Sequence, residues 1–336
     1  MASGQGLLRR PASTVVPFGH HGRVPGIYDE PEFYEAACAY RDVPSEVDAL
    51  LRWSGKHRDS AAGPLRSVME LAAGPAEHAR ELARRGLEAT TLDLSAAMCE
   101  RARDLAAAER IPLTVVQADM RDFSLPRRFD LAITMLNSLC HLLTLEDLLP
   151  HLASVARHLV PGGLYIAELA HPADVFAAQR RTSSEWTSEV DGGTVSVRWG
   201  GGKDEIDPIT QITREHVSVT YRRRGGPVRT VTDVVPNRFW TATELTAAIR
   251  LAGRFTVVAS YGDFDRDTPL EAADAWRMIL VLRRDEADGE TAGGAAGGAA
   301  GEASGEAAGE AAGEAAFGRG ATATSTPVST SATPAS

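Results

Sequence analysis

Apolar and polar positions along the chain follow two different periods, and the change between them organises the molecule. From Pro31 to Trp53 apolar residues recur at helical spacing. This predicts two amphipathic helices, Pro31–Arg41 and Ser45–Trp53, the second opened by Ser45 and Asp48 in a capping-box arrangement. Short apolar runs then alternate with amphipathic stretches. Strands are predicted over Ser67–Glu70, Glu88–Asp93, Leu113–Gln117, Phe129–Met135 and Leu164–Leu169, and helices over Glu77–Arg85, Ser95–Arg110 and Thr144–Leu159. Gly86, Pro112 and Pro161-Gly162-Gly163 supply the stops. Strands apolar on both faces and joined by helices predict a parallel sheet covered on both sides.

Near Ser184 the period falls to two. Thr194–Trp199, Gln211–Tyr221 and Val228–Val235 alternate and are separated by glycine runs, which predicts an antiparallel β insert over 184–237. A helix at Thr241–Leu251 and strands at Thr256–Tyr261 and Met278–Leu282 follow. In a doubly wound α/β domain the ligand crevice lies beyond the C-terminal ends of the strands, so a late insert is expected to act as a substrate lid. The domain is expected to span 27–284. A flexible leader is expected over 1–26, since it has no apolar signal-like run. The Ala/Gly/Glu stretch 285–336, with a glycine every four residues, is expected to be a disordered tail.

The 336 residues are 43% hydrophobic, enough for a buried core. The net charge of −10 misleads, because eight acids and one base lie after Arg284 and leave the body near −3. Such a body has no field for nucleic acid or anionic lipid, and no apolar run approaches the roughly 18–20 residues that cross a bilayer. Cys38, Cys99 and Cys140 are far apart and form no C-x-x-C, so neither a metal site nor a redox pair is expected. An odd cysteine count fits a reducing cytoplasm. A monomer or homodimer acting on a small molecule is the expectation.

The chemistry concentrates in Val68–His78. A strand ends at Glu70, a turn of small residues centred on Gly74 follows, and a helix begins, an arrangement that lets backbone approach a ligand. Asp93, nineteen residues after Gly74, ends the next strand, where a carboxylate holds the two hydroxyls of a ribose. Asp119 follows the third strand. Three acids at successive strand ends describe a pocket for a nucleoside whose other end is not phosphate. A nicotinamide oxidoreductase needs G-x-G-x-x-G where this chain has Ala72, Gly74 and Glu77. A non-catalytic binding or scaffold protein of the same fold is the other alternative.

Glu70–Ala76, Thr91–Met98, Ala118-Asp119-Met120 and Phe129–Asn137 resemble, in order and spacing, the successive motifs of class I S-adenosylmethionine-dependent methyltransferases. The resemblance covers roughly Tyr28–Leu282. It implies a Rossmann-like α/β fold, a seven-stranded mostly parallel sheet whose last strand is antiparallel. It also implies S-adenosyl-L-methionine as methyl donor and in-line transfer to a small-molecule acceptor, nitrogen favoured over oxygen or carbon. By position, Glu70, Ala72 and Gly74 would border the methionine part, and Asp93, beside Leu94, would hold the ribose. Met98 would pack on adenine, Asp119 and the Met120 backbone would read its edge, and Met135 would face the sulfonium. The family often has glycine at Ala72 and Ala76, and alanine restricts positive φ there. Tyr28–Tyr34 and Tyr40-Arg41 are similar to segments of small-molecule N-methyltransferases of the glycine and amino-sugar types. In those enzymes an aromatic and an arginine close over the cofactor carboxylate, which gives Tyr28 and Arg41 that role. His141, just after the fourth strand, is expected to deprotonate or position the acceptor. His171 and Glu168, at the end of the fifth, are the further catalytic candidates.

Overall fold

Proline and an acid start both N-terminal helices. After a 3-10 turn at Ile27–Asp29, α1 spans Pro31–Cys38 and α2 Val43–His57. The computed structural model describes residues 26–176, 184–190, 192–202 and 204–285. The expected leader and tail lie outside them, apart from Gly26 and Asp285. The spacing places the start of α2 at Ser45, but Asp42 is its cap, accepting from Ser45 N at 3.2 Å and Ser45 Oγ at 2.7 Å. Pro44 fits the first turn because the N–H it lacks has no helical partner there.

Strands and helices then alternate through β1 (Ser67–Leu71), α3 (Glu77–Arg84), β2 (Glu88–Asp93), α4 (Ala96–Glu109) and β3 (Leu113–Gln117), and β4 (Phe129–Thr134) follows β3 with no helix between. They are followed by α5 (Leu145–Arg157), β5 (Leu159–Ala170) and the short α6 (Ala173–Phe176). The insert comprises β6 (Ser184–Val190), β7 (Gly193–Trp199), β8 (Ile212–Arg223) and β9 (Val228–Arg238). The chain closes with α7 (Ala242–Ala252), β10 (Phe255–Tyr261) and β11 (Arg277–Arg284). The main sheet has the order β10-β11-β5-β4-β1-β2-β3, with β11 antiparallel to both neighbours. The Rossmann-like architecture is therefore the one the motifs imply.

Pleating sends successive residues of the central strands to opposite cores. Val68, Ile166 and Leu164 pack with Val47, Leu50 and Trp53 of α2 and Leu82 of α3. Met69, Tyr165 and Leu169 pack with Leu148 and Leu152 of α5 and Leu245 of α7. That double burial is why these strands read as continuous apolar runs. In β5 the structure differs from the reading. Pro161-Gly162-Gly163 does not precede the strand but forms a bulge inside it, where pairing jumps from Phe129–Leu159 to Leu131–Leu164 and Gly162 takes φ +73°.

The insert has four antiparallel strands, one more than alternation predicts. The additional strand, β6, is an edge strand that offers only Trp186 and Val190 as large apolar residues. The inner face of the insert sheet carries Val195, Val197, Val217, Val219 and Val235 and packs on Ile27, Phe33 and Ala37 of the N-terminal segment. No described helix is long and apolar enough to cross a membrane.

Candidate active site

Two tight turns meet at the C-terminal ends of β1 and β2. Ala72, Gly74 and Ala76 have φ of +50°, +53° and +61°, so the turn is left-handed at three positions and only Gly74 is free of the Cβ penalty. The alanines adopt the conformation that alanine was expected to restrict, at a cost of about 1–2 kcal/mol each. The turn aims the Gly74 N–H at Asp93 Oδ2, 2.7 Å away, while Ser95 N–H donates to Oδ1 at 2.8 Å. Burial pushes the Asp93 acid up, and these N–H groups oppose it. A Cβ on Gly74 would lie 3.4 Å from the Tyr34 ring and 3.9 Å from Met98 Sδ.

Glu70 is almost fully buried, and its Oε2 accepts from Ala79 N–H at 2.8 Å. Its Oε1 lies 3.5 Å from His78 Nδ1, and His78 Nε2 lies 2.7 Å from Glu46 Oε2. Burial opposes charge on His78, but Glu46 and Glu70 on either side raise it to about 9. Glu46 continues into Arg41. All three guanidinium nitrogens of Arg41 are bonded to Glu46 or Glu168, with both contacts to Glu168 at 2.9 Å. Arg41, expected over the cofactor carboxylate, is thus an internal tie. Glu168 is fully buried, accepts Leu136 N–H at 2.9 Å and faces Arg277 at 3.0 Å. Burial raises its acid, yet the two arginines hold it below the usual carboxylate range. Both its oxygens are occupied, so it offers no face to an amine.

Tyr34 and Cys38 of α1 lie across this crevice. With Glu70, Ala72, Met135 and Leu136 they enclose a cavity of about 20 Å³, the space of one water. Met98 and Met135 are buried, whereas Leu94 is exposed. The Asp119 carboxylate pairs with Arg121 at 2.6 Å, which holds its acid below the usual range against burial. The Met120 carbonyl accepts from His151 Nδ1 at 2.8 Å.

On the other side of β4, Leu136 and Asn137 also take positive φ, +54° and +60°, before a 3-10 turn at Ser138–His141. Asn137 Oδ1 pins this corner by accepting Ala170 N–H at 3.0 Å. The corner presents His141 Nε2 to the Tyr28 hydroxyl at 3.1 Å, the rings edge-on at 89°. Burial holds His141 below its ordinary pKa, opposed by a hydrogen bond to the Pro236 backbone. His171 Nε2 bonds the Leu270 carbonyl at 3.0 Å, and its Nδ1 accepts Ala173 N–H at 3.1 Å. The pairing of Tyr28 with His141, and the parts played by Tyr34, Glu46 and His78, have no local signal in the sequence.

A methyltransferase-domain family model matches residues 68–163. The chain is 32% identical over 197 residues to the dTDP-3-amino-3,4,6-trideoxy-alpha-D-glucopyranose N,N-dimethyltransferase of Streptomyces venezuelae, covering 56% of this chain and 74% of that one. It belongs to the S-adenosyl-L-methionine-dependent methyltransferase family, and S-adenosyl-L-methionine is its methyl donor. A second similar protein is the dTDP-3-amino-3,6-dideoxy-alpha-D-glucopyranose N,N-dimethyltransferase of Streptomyces fradiae, 32% identical over 150 residues, 44% of this chain and 54% of the relative. The crystal structure of Streptomyces venezuelae DesVI superposes with a TM-score of 0.60 at 25% identity, covering 75% of this chain and 94% of that one.

Proposed function

We propose that this methyltransferase transfers its methyl group to the amino nitrogen of a small molecule, an amino sugar, and that His141 removes the proton the amine must lose. The observation that carries this reading is the His141–Tyr28 contact at the edge of β4. It presents a neutral imidazole, with a hydroxyl partner that can turn away, where a nucleophile would approach. The amino-sugar dimethyltransferases among its relatives support the acceptor class.

The residues at the strand ends fit the donor. Buried Glu70 suits an ammonium group, Asp93 suits a ribose diol, and the Gly74 turn gives a backbone cradle without a side chain. Met98, Met120 and Asp119 would border adenine, and Met135 the sulfur. S-adenosyl-L-methionine supplies a methyl carbon already activated by the sulfonium. The Tyr28 hydroxyl turns away as the acceptor enters, His141 Nε2 accepts the ammonium proton, and the insert roofs the acceptor and excludes water. The new N–C bond forms as the S–C bond breaks, and the proton leaves through His141.

The test is mass spectrometry with deuterated-methyl donor and a panel of free and nucleotide-linked amino sugars. A labelled amine is expected, and His141→Gln is expected to lower kcat about 100-fold with cofactor affinity preserved. Label on oxygen or carbon alone, or wild-type turnover in His141→Gln, would sink the proposal.

A further inference from the structure

The end of the insert and the turn after it grip the loop that carries His141 at three places. Asn237 Oδ1 accepts from Cys140 Sγ at 3.2 Å, and both groups are buried. Arg238 Nη1 donates to the Leu143 carbonyl at 3.1 Å, with its guanidinium 3.8 Å from the centre of the Trp240 ring. Trp240 Nε1 donates to the Leu142 carbonyl at 3.0 Å. The string continues into the sheet, because Asn237 Nδ2 donates to Glu215, which also accepts from Trp199 Nε1 at 2.7 Å.

These contacts fix the ring as well as the loop. They hold His141 where its Nε2 lies 3.1 Å from the Tyr28 hydroxyl. A ring free to turn would divide its time between two orientations, and in one of them Nε2 faces the insert instead of Tyr28.

We propose that Asn237, near the end of β9 and anchored by Glu215, is a positioning residue for His141: it holds the 140–143 loop so that Nε2 stays turned toward Tyr28 and the acceptor side. The insert is then a working part of the base as well as a roof over the substrate. This rests on the role proposed above for His141, but the seat itself can be read without any turnover.

The experiment uses the full chain labelled with ¹⁵N-histidine, and the imidazole resonances of His141 are identified by their loss in His141→Gln. Wild type is expected to show one sharp set of His141 imidazole resonances. Asn237→Ala is expected to show a split or exchange-broadened set, with kcat reduced about tenfold or more and cofactor affinity unchanged. Cys140→Ala is expected to follow Asn237→Ala, whereas Cys140→Ser, which keeps a donor for Asn237, is expected to stay near wild type. If Asn237→Ala does not fold, the Cys140 pair decides alone. Wild-type imidazole resonances and wild-type kcat in Asn237→Ala or Cys140→Ala would overturn the proposal. A single ring setting that these variants disturb, beside full turnover in His141→Gln, would leave the seat standing and remove the base.

Discussion

Replacing Tyr165 by phenylalanine removes one oxygen from the middle of a closed hydrogen-bond chain. His151 Nδ1 meets the Met120 carbonyl at 2.8 Å, so that nitrogen must carry the proton. His151 Nε2 is then an acceptor and takes the Tyr165 O–H at 2.8 Å, and Thr134 Oγ1 donates to the same phenol oxygen at 2.9 Å. Tyr165, His151 and Thr134 are all fully buried, so neither partner finds water when the oxygen goes. Each stranded buried group costs about 1–3 kcal/mol, and the void left by one oxygen is small. Relief from burying the hydroxyl returns part of that, which leaves an expected loss of about 2–4 kcal/mol. Urea unfolding monitored by circular dichroism, wild type beside Tyr165→Phe, measures it through the midpoint at constant m-value. A loss below about 0.5 kcal/mol would show that the chain from Met120 to Thr134 is not made in solution.

Two buried histidines should shape stability against pH in opposite directions. His78 titrates at about 9 when folded against 6.5 unfolded, so its contribution is complete below pH 6.5 and is lost as pH rises through 9. Burial drives His151 down to about 4, against the pull of the Met120 carbonyl, so its contribution is complete above pH 6.5 and is lost as pH falls through 4. Each limb amounts to about 3 kcal/mol, and melting temperature should peak near pH 6.5. His78→Gln should flatten the alkaline limb, and a limb unchanged in that variant would contradict the assignment. Asp93→Ala should weaken S-adenosylhomocysteine binding by about 1–3 kcal/mol in calorimetry, and an unaltered affinity in a folded variant would place the ribose elsewhere.

The sheet and its acids were legible because they are local patterns. The strands that carry Glu70 and Asp93 announce themselves by two-sided apolar runs, and the small-residue turn follows Glu70 within six residues. Strand β6 was not legible, since an edge strand half in solvent has little apolar alternation to show. Arg41 shows the deeper limit. Its place near the crevice followed from resemblance, but its partners Glu46 and Glu168 are 5 and 127 residues away, and only packing decides which carboxylate an arginine meets. The same holds for Tyr28 and His141, 113 residues apart.

The segment that carries Tyr34 over Gly74 also carries Tyr28 to His141, and this has a kinetic consequence. The space beneath Tyr34 is about 20 Å³, far less than S-adenosyl-L-methionine fills, so the segment has to shift to admit the donor. With the segment lifted, the acceptor side lacks Tyr28. Binding should therefore follow a compulsory order, donor first and acceptor second, and the methylated amine should leave before S-adenosylhomocysteine. Product-inhibition kinetics distinguish this from random order: S-adenosylhomocysteine should compete with the donor alone. One short stretch of chain, shared by two pockets, makes the second binding event conditional on the first.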